Sequence, residues 1–395
     1  MLYYYAAYYE EKMGEDEAAK KSLEKAESCA FDYCFPNKLD DIAVLTFAIE
    51  NGCKKKAPYY LGNLFYDKLQ WKKSVELWEM SEKADDTFSI VHRNLALAYY
   101  NKMGDSKAAK RELEKAFSLN RKDARIFLEL DQLYKKLGYS FKERLAKYDE
   151  DPSLAESRDD LYIEYITLMN MCGEYERAYR CIMGRRFHPW EGGEGKITTQ
   201  YTISLLEMAK QCLASEKYEQ AEKLLKKALV YPENLGEGKL EGTKDNHLFY
   251  HLGLALEAQG KHDEAKTCFE TATIGTDEPA GAMYYNDQPA DMILYQGIAF
   301  EKLGKTREAK SRFYRLIDYG EQHLNDEGKI EYFAVSLPDF LIFDEDYTKK
   351  NRAHCCYLMA LGNIGLQNRE KAAEFLNEAL EIEPSHMMAT LYQKQ

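Results

Sequence analysis

The segment GKHDEAKTCFETA, residues 260–272, decides the fold of this chain because its pattern recurs along the sequence. A turn residue, Gly260, is followed five residues later by the small Ala265, nine later by the large Phe269 and twelve later by Ala272. A small residue where two helices cross, with a large one a turn later, lets a helix hairpin pack closely and stack on its neighbour. The recurrence therefore predicts an all-α solenoid.

The recurring positions fall into three series. The turns are Gly14, Gln70, Gly104, Gly173, Glu216, Gly260, Gly304 and Gln367. The small positions are Ala19, Val75, Ala109, Ala178, Ala221, Ala265, Ala309 and Ala372. The large positions are Leu23, Leu113, Ile182, Leu225, Phe269, Phe313 and Leu376, with Trp78 one place early in the second repeat.

The spacing of the early turns resembles the tetratricopeptide repeat (TPR). With Gly138 counted as a further, degenerate turn, the intervals from residue 70 to residue 173 are 34, 34 and 35 residues, against 34 in that family. Leu61-Gly62 and the aromatic residues after it stand where the motif has Leu-Gly and Tyr. The resemblance implies a TPR-like right-handed α-solenoid of about nine helix hairpins.

The repeat lengthens in the second half, where the intervals grow to 43, 44, 44 and 63 residues. We expect regular repeats over residues 1–184 and expanded repeats over residues 185–395 of one continuous solenoid. Insertions are expected at residues 185–196, 231–243, 274–286 and 335–346. Extra residues in a repeat array collect in loops on one face, often the binding face, so function is sought in this half.

Composition excludes several classes of protein. With 54 Lys and Arg against 67 Asp and Glu, the net charge is −13, which argues against a nucleic-acid partner. Nine scattered cysteines without a CxxC pair predict buried thiols in a reducing cytosol rather than disulfides or a metal site. No membrane-length apolar run occurs, and a cytoplasmic protein without cofactors is expected. His247 and His251, four residues apart, could share a metal ion, but no third ligand stands nearby in the sequence, so helix-surface or packing histidines are the favoured interpretation.

The aromatic residues leave alternatives open. Tyrosine occurs 31 times, which suits either packing between helices or a groove that stacks on sugars or grips a peptide. The first residues, Met1 to Tyr9, are aromatic and lack a polar capping residue. We expect a chain cut from a longer protein, with self-association through Tyr3, Tyr4, Tyr8 and Tyr9.

The first insertion has the most unusual sequence. Three glycines in four positions would let backbone amides approach a ligand, and an indole offers a stacking face beside charged side chains. The alternative is a tryptophan that plugs a packing gap. The candidates for ligand binding or docking are His188, Trp190, Glu191, Glu194 and Lys196, with Asn234 of the second insertion and Asp339 and Asp344 of the last.

A more specific resemblance rests on residues 188–196, 232–237, 332–339, 343–346 and 351–354. These stretches resemble those of a bacterial family of unknown function, in which a galactose-mutarotase-like β-sandwich region precedes a C-terminal TPR array. The resemblance implies that this chain is the TPR portion of a carbohydrate-related protein, with its loops facing the β-sandwich or its sugar. It assigns no catalytic residue.

Two functions follow as hypotheses. The first is a non-catalytic interaction scaffold that docks its own N-terminal region or a partner protein. The alternative is that the array contributes loop residues to a carbohydrate-binding or glycoside-processing site, since acidic pairs in the insertions offer the carboxylates that such chemistry uses. The sequence contains no recognisable nucleophile signature, and the first hypothesis is favoured.

Overall fold

The computed structural model describes residues 1–188, 190, 192–282, 288–328 and 342–394. Over these residues it contains 21 α-helices and no strand, which confirms the all-α prediction. The helices are α1 (Leu2–Lys12), α2 (Asp16–Ser28), α3 (Leu39–Glu50), α4 (Lys56–Asp67), α5 (Trp71–Ala84), α6 (Ser89–Ala98), α7 (Ser106–Leu119), α8 (Ala124–Lys136), α9 (Phe141–Asp149), α10 (Pro152–Glu156), α11 (Asp159–Met171), α12 (Tyr175–Met183), α13 (Lys196–Ala214), α14 (Tyr218–Ala228), α15 (Asn246–Ala258), α16 (His262–Ala272), α17 (Met292–Lys302), α18 (Thr306–His323), α19 (Tyr347–Gly365), α20 (Arg369–Ile382) and α21 (Met387–Gln393).

The chain divides into two compact units. Unit 1 comprises residues 1–137 together with 342–344, and unit 2 comprises residues 138–341 and 345–395. Packed hairpins in unit 1 are α1–α2, α4–α5 and α6–α7, and those in unit 2 are α11–α12, α13–α14, α15–α16, α17–α18 and α19–α20. Residues 335–341 of the predicted insertion over residues 335–346 lie outside the described residues.

The turns predicted from the repeat adopt left-handed backbone conformations. A positive φ occurs at Gly14, Gly104, Gly138, Gly173, Glu216, Gly260, Gly304 and Gln367. This conformation ends a helix and redirects the chain into the next one. Glycine adopts it without steric cost, whereas Glu216 and Gln367, with φ of 57° and 61°, are held there by the hairpins that they join.

The second repeat corrects the predicted register by one residue. The left-handed residue is Leu69, with φ of 59°, while Gln70 has φ of −91°. Counting from Leu69, the small position is the buried Ser74 rather than Val75, and Trp78 stands nine residues on, in register with the other large residues. The predicted turn at Gln70 is therefore wrong by one residue, and Trp78 follows the same spacing as the other large residues.

The small and large positions form the hairpin interiors. Seven of the predicted small residues, Ala19, Ala109, Ala178, Ala221, Ala265, Ala309 and Ala372, are buried. The large residues press against glycines of neighbouring helices. A Cβ at Gly62 would lie 2.5 Å from the Trp78 ring, and one at Gly253 would lie 2.5 Å from Phe269. In these hairpins the close approach is possible only because the first helix has a glycine, and thus no side chain, at the contact.

The helical stretch over residues 89–103 changes geometry in its last turn. α6 ends at Ala98, and Tyr99–Met103 forms a single π-helical turn. The widened turn contacts the segment 342–344, since Asn101 Nδ2 donates to the carbonyl of Ile342 at 2.8 Å. The buried Phe343 ring packs edge-on against Tyr100 with centroids 5.0 Å apart. This short segment thereby completes unit 1.

The N-terminal helix is only partly exposed, which corrects one detail of the expected apolar end. Tyr4 is buried, and its hydroxyl donates to Glu27 Oε1 at 2.6 Å. The side chains left exposed are Leu2, Tyr3 and Tyr9. Tyr8 packs edge-on against Phe47. Self-association through this end stays a prediction that rests on three side chains rather than four tyrosines.

No helix in the described parts of the chain is long and apolar enough to cross a membrane.

Candidate functional site

A cavity of about 350 Å³ lies in unit 2, on the side formed by the first helices of the hairpins. Its walls come from α13, α15, α17 and α21 and from the loop between α14 and α15. This volume falls in the lower part of the range for small-ligand pockets. Four helices distant in sequence thus converge on one concavity, as binding sites commonly do.

The first insertion, residues 185–196, is called the glycine-rich loop below. It borders this cavity and is hydrogen-bonded to the second insertion, residues 231–243. The backbone N–H of Phe187 donates to the carbonyl of Asn234 at 2.8 Å. The N–H of Gly195 donates to Glu237 Oε2 at 2.8 Å. Burial raises the pKa of Glu237, although the Gly195 N–H acts in the opposite direction. Gly195 and Glu237 both line the cavity, so the two insertions form part of its edge.

Four of the predicted site residues lie in the glycine-rich loop. His188 is exposed, and its backbone N–H donates to Asp159 Oδ2 at 2.8 Å. Trp190 is half-buried, with Lys196 Nζ 5.7 Å from its ring centroid. Glu194 is exposed and accepts from the N–H of Gly192 at 2.8 Å. These side chains share a short stretch of surface, and their role in binding stays a prediction.

The other predicted site residues are placed differently. Asn234 uses its amide to hold the loop, since Nδ2 donates to the carbonyls of Ile182 and Arg185, each at 2.9 Å. Asp344 belongs to unit 1, where it pairs with Lys102 at 3.2 Å. Glu191 and Asp339 lie outside the described residues.

The cavity wall carries charged groups that the sequence did not single out. Asp291, just before α17, is 7% exposed, and burial raises its pKa to about 6. Lys210 Nζ pairs with Glu207 Oε1 at 2.7 Å on α13. Asp245 Oδ2 pairs with Lys239 at 2.5 Å, and burial raises the Asp245 pKa. The buried Asp291 carboxyl therefore lines a cavity whose wall also contains members of two ion pairs, Glu207–Lys210 and Asp245–Lys239.

The two histidines of α15 differ in their surroundings. His251 Nδ1 donates to the carbonyl of His247 at 2.7 Å, which agrees with a packing residue. His247 lines the cavity, and its enclosed Nδ1 has no hydrogen-bond partner in the described part of the chain. Burial lowers the pKa of both rings to about 3, so both are neutral at pH 7. His247 is therefore an unused acceptor or donor at the cavity surface.

Threonines and tyrosines complete the cavity wall. The run Thr198-Thr199 with Thr202 places three hydroxyls on one face of α13, a spacing that the sequence shows. Tyr295 accepts a hydrogen bond from Tyr392 at 2.9 Å. The threonine spacing offered a signal for the site, but no pattern within one repeat links α13 to α21. The contribution of residues 387–392 could not have been predicted from local sequence.

A separate cluster of charged groups lies in unit 1, at Glu82, His92 and Glu112. These groups are near enough to hold a metal ion, but both nitrogens of the buried His92 are already engaged. Nδ1 lies 2.7 Å from Glu112 Oε2, and Nε2 lies 2.8 Å from the carbonyl of Asp86. Two acceptors fit a doubly protonated ring. We interpret the cluster as an internal ion pair.

The protonation of His92 gives a testable dependence of stability on pH. Burial alone would lower its pKa, but the hydrogen bond to Glu112, the Asp86 carbonyl and the charges of Glu112 and Glu82 raise it above the usual value. Glu112, which burial would raise, has its pKa lowered by His92 and by Arg111. A raised histidine pKa contributes stability that is complete below about pH 6.5 and is lost as pH rises through the folded-state value.

We expect His92→Gln to cost about 2 kcal/mol near pH 6 and clearly less near pH 9. Urea unfolding at both pH values measures the difference between variant and wild type, and hydrogen exchange of α6 and α7 locates it. His262→Gln, at an exposed histidine, is the matched control and should change little. A cost that stays constant from pH 6 to pH 9 would contradict the charged pair.

Comparison with known proteins identifies the repeat. Residues 94–123, 247–273 and 353–386 match one model of the tetratricopeptide repeat, and residues 291–319 match another. These segments of the chain therefore match TPRs, and they include the hairpins α15–α16, α17–α18 and α19–α20. Two of these hairpins contribute first helices to the cavity wall.

Several solved structures are similar over much of the chain. A TPR protein from Parabacteroides merdae is 14% identical, with 78% of this chain and 100% of that chain covered and a TM-score of 0.32. YrrB, a TPR protein with an unusual peptide-binding site, is 18% identical, with coverage of 65% and 100% and a TM-score of 0.22. A chain of the APC/C hetero-tetramer Cut9-Hcn1 is 12% identical, with coverage of 96% and 59% and a TM-score of 0.32.

Proposed function

We propose that this protein is a non-catalytic interaction module that binds a segment of another protein region in the unit 2 cavity. The observation that carries the proposal is the convergence of four helices and a loop on one concavity. Two of these helices, α15 and α17, belong to hairpins that match the TPR. Both polar groups and apolar side chains line the concavity, which suits a peptide with side chains to bury and a backbone to hydrogen-bond.

The source of that segment follows from the resemblance to the bacterial family. We propose that the occupant belongs to a β-sandwich region of the same protein or to a separate partner in the bacterial cytoplasm. The glycine-rich loop lies at the cavity edge through Gly195, so a docked region would contact both. The carbohydrate-related role of the whole protein belongs to this proposal and rests on the resemblance.

Blocking the cavity tests the proposal. Thr199 is exposed on α13 and lines the cavity, so Thr199→Trp would fill it without disturbing the hairpin interior. Thr267, exposed on α16 and outside the cavity wall, gives Thr267→Trp as a matched control. We expect phage-displayed random peptides selected on the full chain to lose at least about tenfold in affinity for Thr199→Trp and to keep their affinity for Thr267→Trp.

Two results would refute peptide binding at this cavity. One is that repeated selection yields no peptide whose binding saturates. The other is that selected peptides bind Thr199→Trp as tightly as wild type, which would move the binding surface elsewhere.

The alternative is a carbohydrate site at the glycine-rich loop. The half-buried Trp190 ring beside Lys196 favours it, because sugars stack on indole faces. A glycan array separates the two proposals. Sugar binding that Glu194→Gln abolishes and Thr199→Trp leaves intact would support the loop site, while an array without bound glycans would dismiss it.

A further inference from the structure

The Asp291 carboxyl is buried at the cavity wall. Burial raises its pKa, and the charge of Lys210, which is itself paired with Glu207, only partly offsets this. Asp291 is 7% exposed, and the hydrogen bond that it receives comes from the Tyr357 hydroxyl at 3.5 Å, near the limit of a hydrogen bond. No lysine, arginine or histidine within the described ranges forms an ion pair with it. An ionised carboxylate buried in this way costs several kcal/mol unless a cation neutralises it.

The groups around Asp291 leave a negative balance. The cavity wall contains four carboxyl groups, at Glu207, Glu237, Asp245 and Asp291, against two lysines, Lys210 and Lys244. Lys210 is neutralised by Glu207 and Asp245 by Lys239. His247 adds no charge, because burial lowers its pKa to about 3. The cavity therefore has more acid than its own cations neutralise.

The rest of the cavity wall suits a long cationic side chain. Tyr231, Tyr295 and Tyr392 present aromatic rings, whose faces attract ammonium and guanidinium groups. Leu206, Met387 and Leu391 supply apolar surface for the methylenes of a lysine or arginine stem. The unpartnered Nδ1 of His247 offers a further acceptor when the proton is on Nε2.

We propose that the cavity binds the lysine or arginine side chain of a basic partner segment, with Asp291 as its counter-ion. This inference rests on the proposed interaction function and specifies its partner. The net charge of −13 would also draw basic segments toward the chain. Aspartate fits this role here because it lies just before α17 and reaches the cavity from a fixed helix end.

A pair of blocked peptides tests the charge requirement on the full chain. One is a pentapeptide with lysine between glycines, acetylated at one end and amidated at the other, and its partner has norleucine instead of lysine. Methyl NMR of methionine-labelled protein reports binding, because Met292, Met387 and Met388 line the cavity. We expect the lysine peptide to shift these methyl signals saturably and the norleucine peptide to bind at least about tenfold more weakly.

The Asp291→Asn variant tests the counter-ion. Asparagine keeps the shape and suits a helix start as well as aspartate does, so the fold should persist. We expect the affinity for the lysine peptide to fall at least about tenfold. Asp263→Asn, exposed on α16, is the matched control and should bind as wild type. The methyl spectrum without peptide shows whether either variant is folded.

Four outcomes would overturn the inference. Equal affinity for the norleucine peptide would remove the charge requirement, and unchanged affinity in Asp291→Asn would remove the counter-ion. If cadaverine, a free diamine, binds as tightly as the lysine peptide, the cavity is a site for small amines rather than for a protein side chain. If phage selection yields cavity-binding peptides without basic residues, the interaction function stands and this inference fails.

Discussion

Phe313→Ala is expected to lower the free energy of unfolding of unit 2 by about 3–5 kcal/mol. Phe313 is fully buried in α18 and lies between two other helices. A Cβ at Gly297 of α17 would lie 2.2 Å from its ring, and one at Gly365 of α19 would lie 2.1 Å from it. Truncation would leave a cavity among three helices, and glycines have no side chains with which to fill it.

Urea unfolding with hydrogen exchange measures this effect. Amides of α17, α18 and α19 should lose protection, and amides of α4 to α7 in unit 1 should keep theirs. Tyr314→Ala is the matched control, since the neighbouring ring on the same helix is 52% exposed and should cost less than about 1 kcal/mol. Equal costs for the two variants would show that the Phe313 ring does not hold the hairpins together.

Arg93→Met is expected to destabilise unit 1 by about 3 kcal/mol. Arg93 of α6 donates two hydrogen bonds to the fully buried Glu129 of α8, from Nε at 2.7 Å and from Nη2 at 2.5 Å. Removing the guanidinium would leave Glu129 with Arg125, whose side chain is 65% exposed and whose Nε lies 3.1 Å away. The cost therefore comes from a buried carboxylate that loses its main partner.

A double variant separates this cause from lost packing. Arg93→Met combined with Glu129→Met removes both charges, and we expect it to recover most of the stability. Arg125→Met should cost less than about 1 kcal/mol because the removed side chain is mainly in solvent. Urea unfolding followed by hydrogen exchange of α6 and α8 provides the measurement. A double variant as unstable as Arg93→Met alone would assign the loss to packing instead.

The repeat made most of the fold predictable. Small residues at helix crossings and large residues one turn later are local requirements, and each hairpin repeats them, so the pattern survives degeneration at single positions. The mistaken register at Gln70 has a physical cause. Neither glycine nor asparagine, the residues that most readily adopt the left-handed conformation, stands at this turn, so the sequence does not show that Leu69 takes it.

The cavity was less predictable than the loops around it. Glycine and proline density located residues 185–196 and 231–243, and the structure fastens these insertions together through Asn234 and Glu237. Asp291 and Tyr392 are separated by about a quarter of the chain and meet only after several hairpins have stacked. The sequence around each of these two residues contains no motif. A counter-ion and an aromatic ring have only to lie on helices that face each other, and this places no requirement on their sequence neighbours.

The placement of residues 342–344 affects the order in which the protein forms during synthesis. Unit 1 contains Phe343, which is 2% exposed, yet some two hundred residues of unit 2 leave the ribosome before it. The contact between the Tyr100 and Phe343 rings can therefore form only after residues 138–341 of unit 2 have been synthesised. Vectorial folding from the N-terminus can begin in unit 1 but cannot finish there.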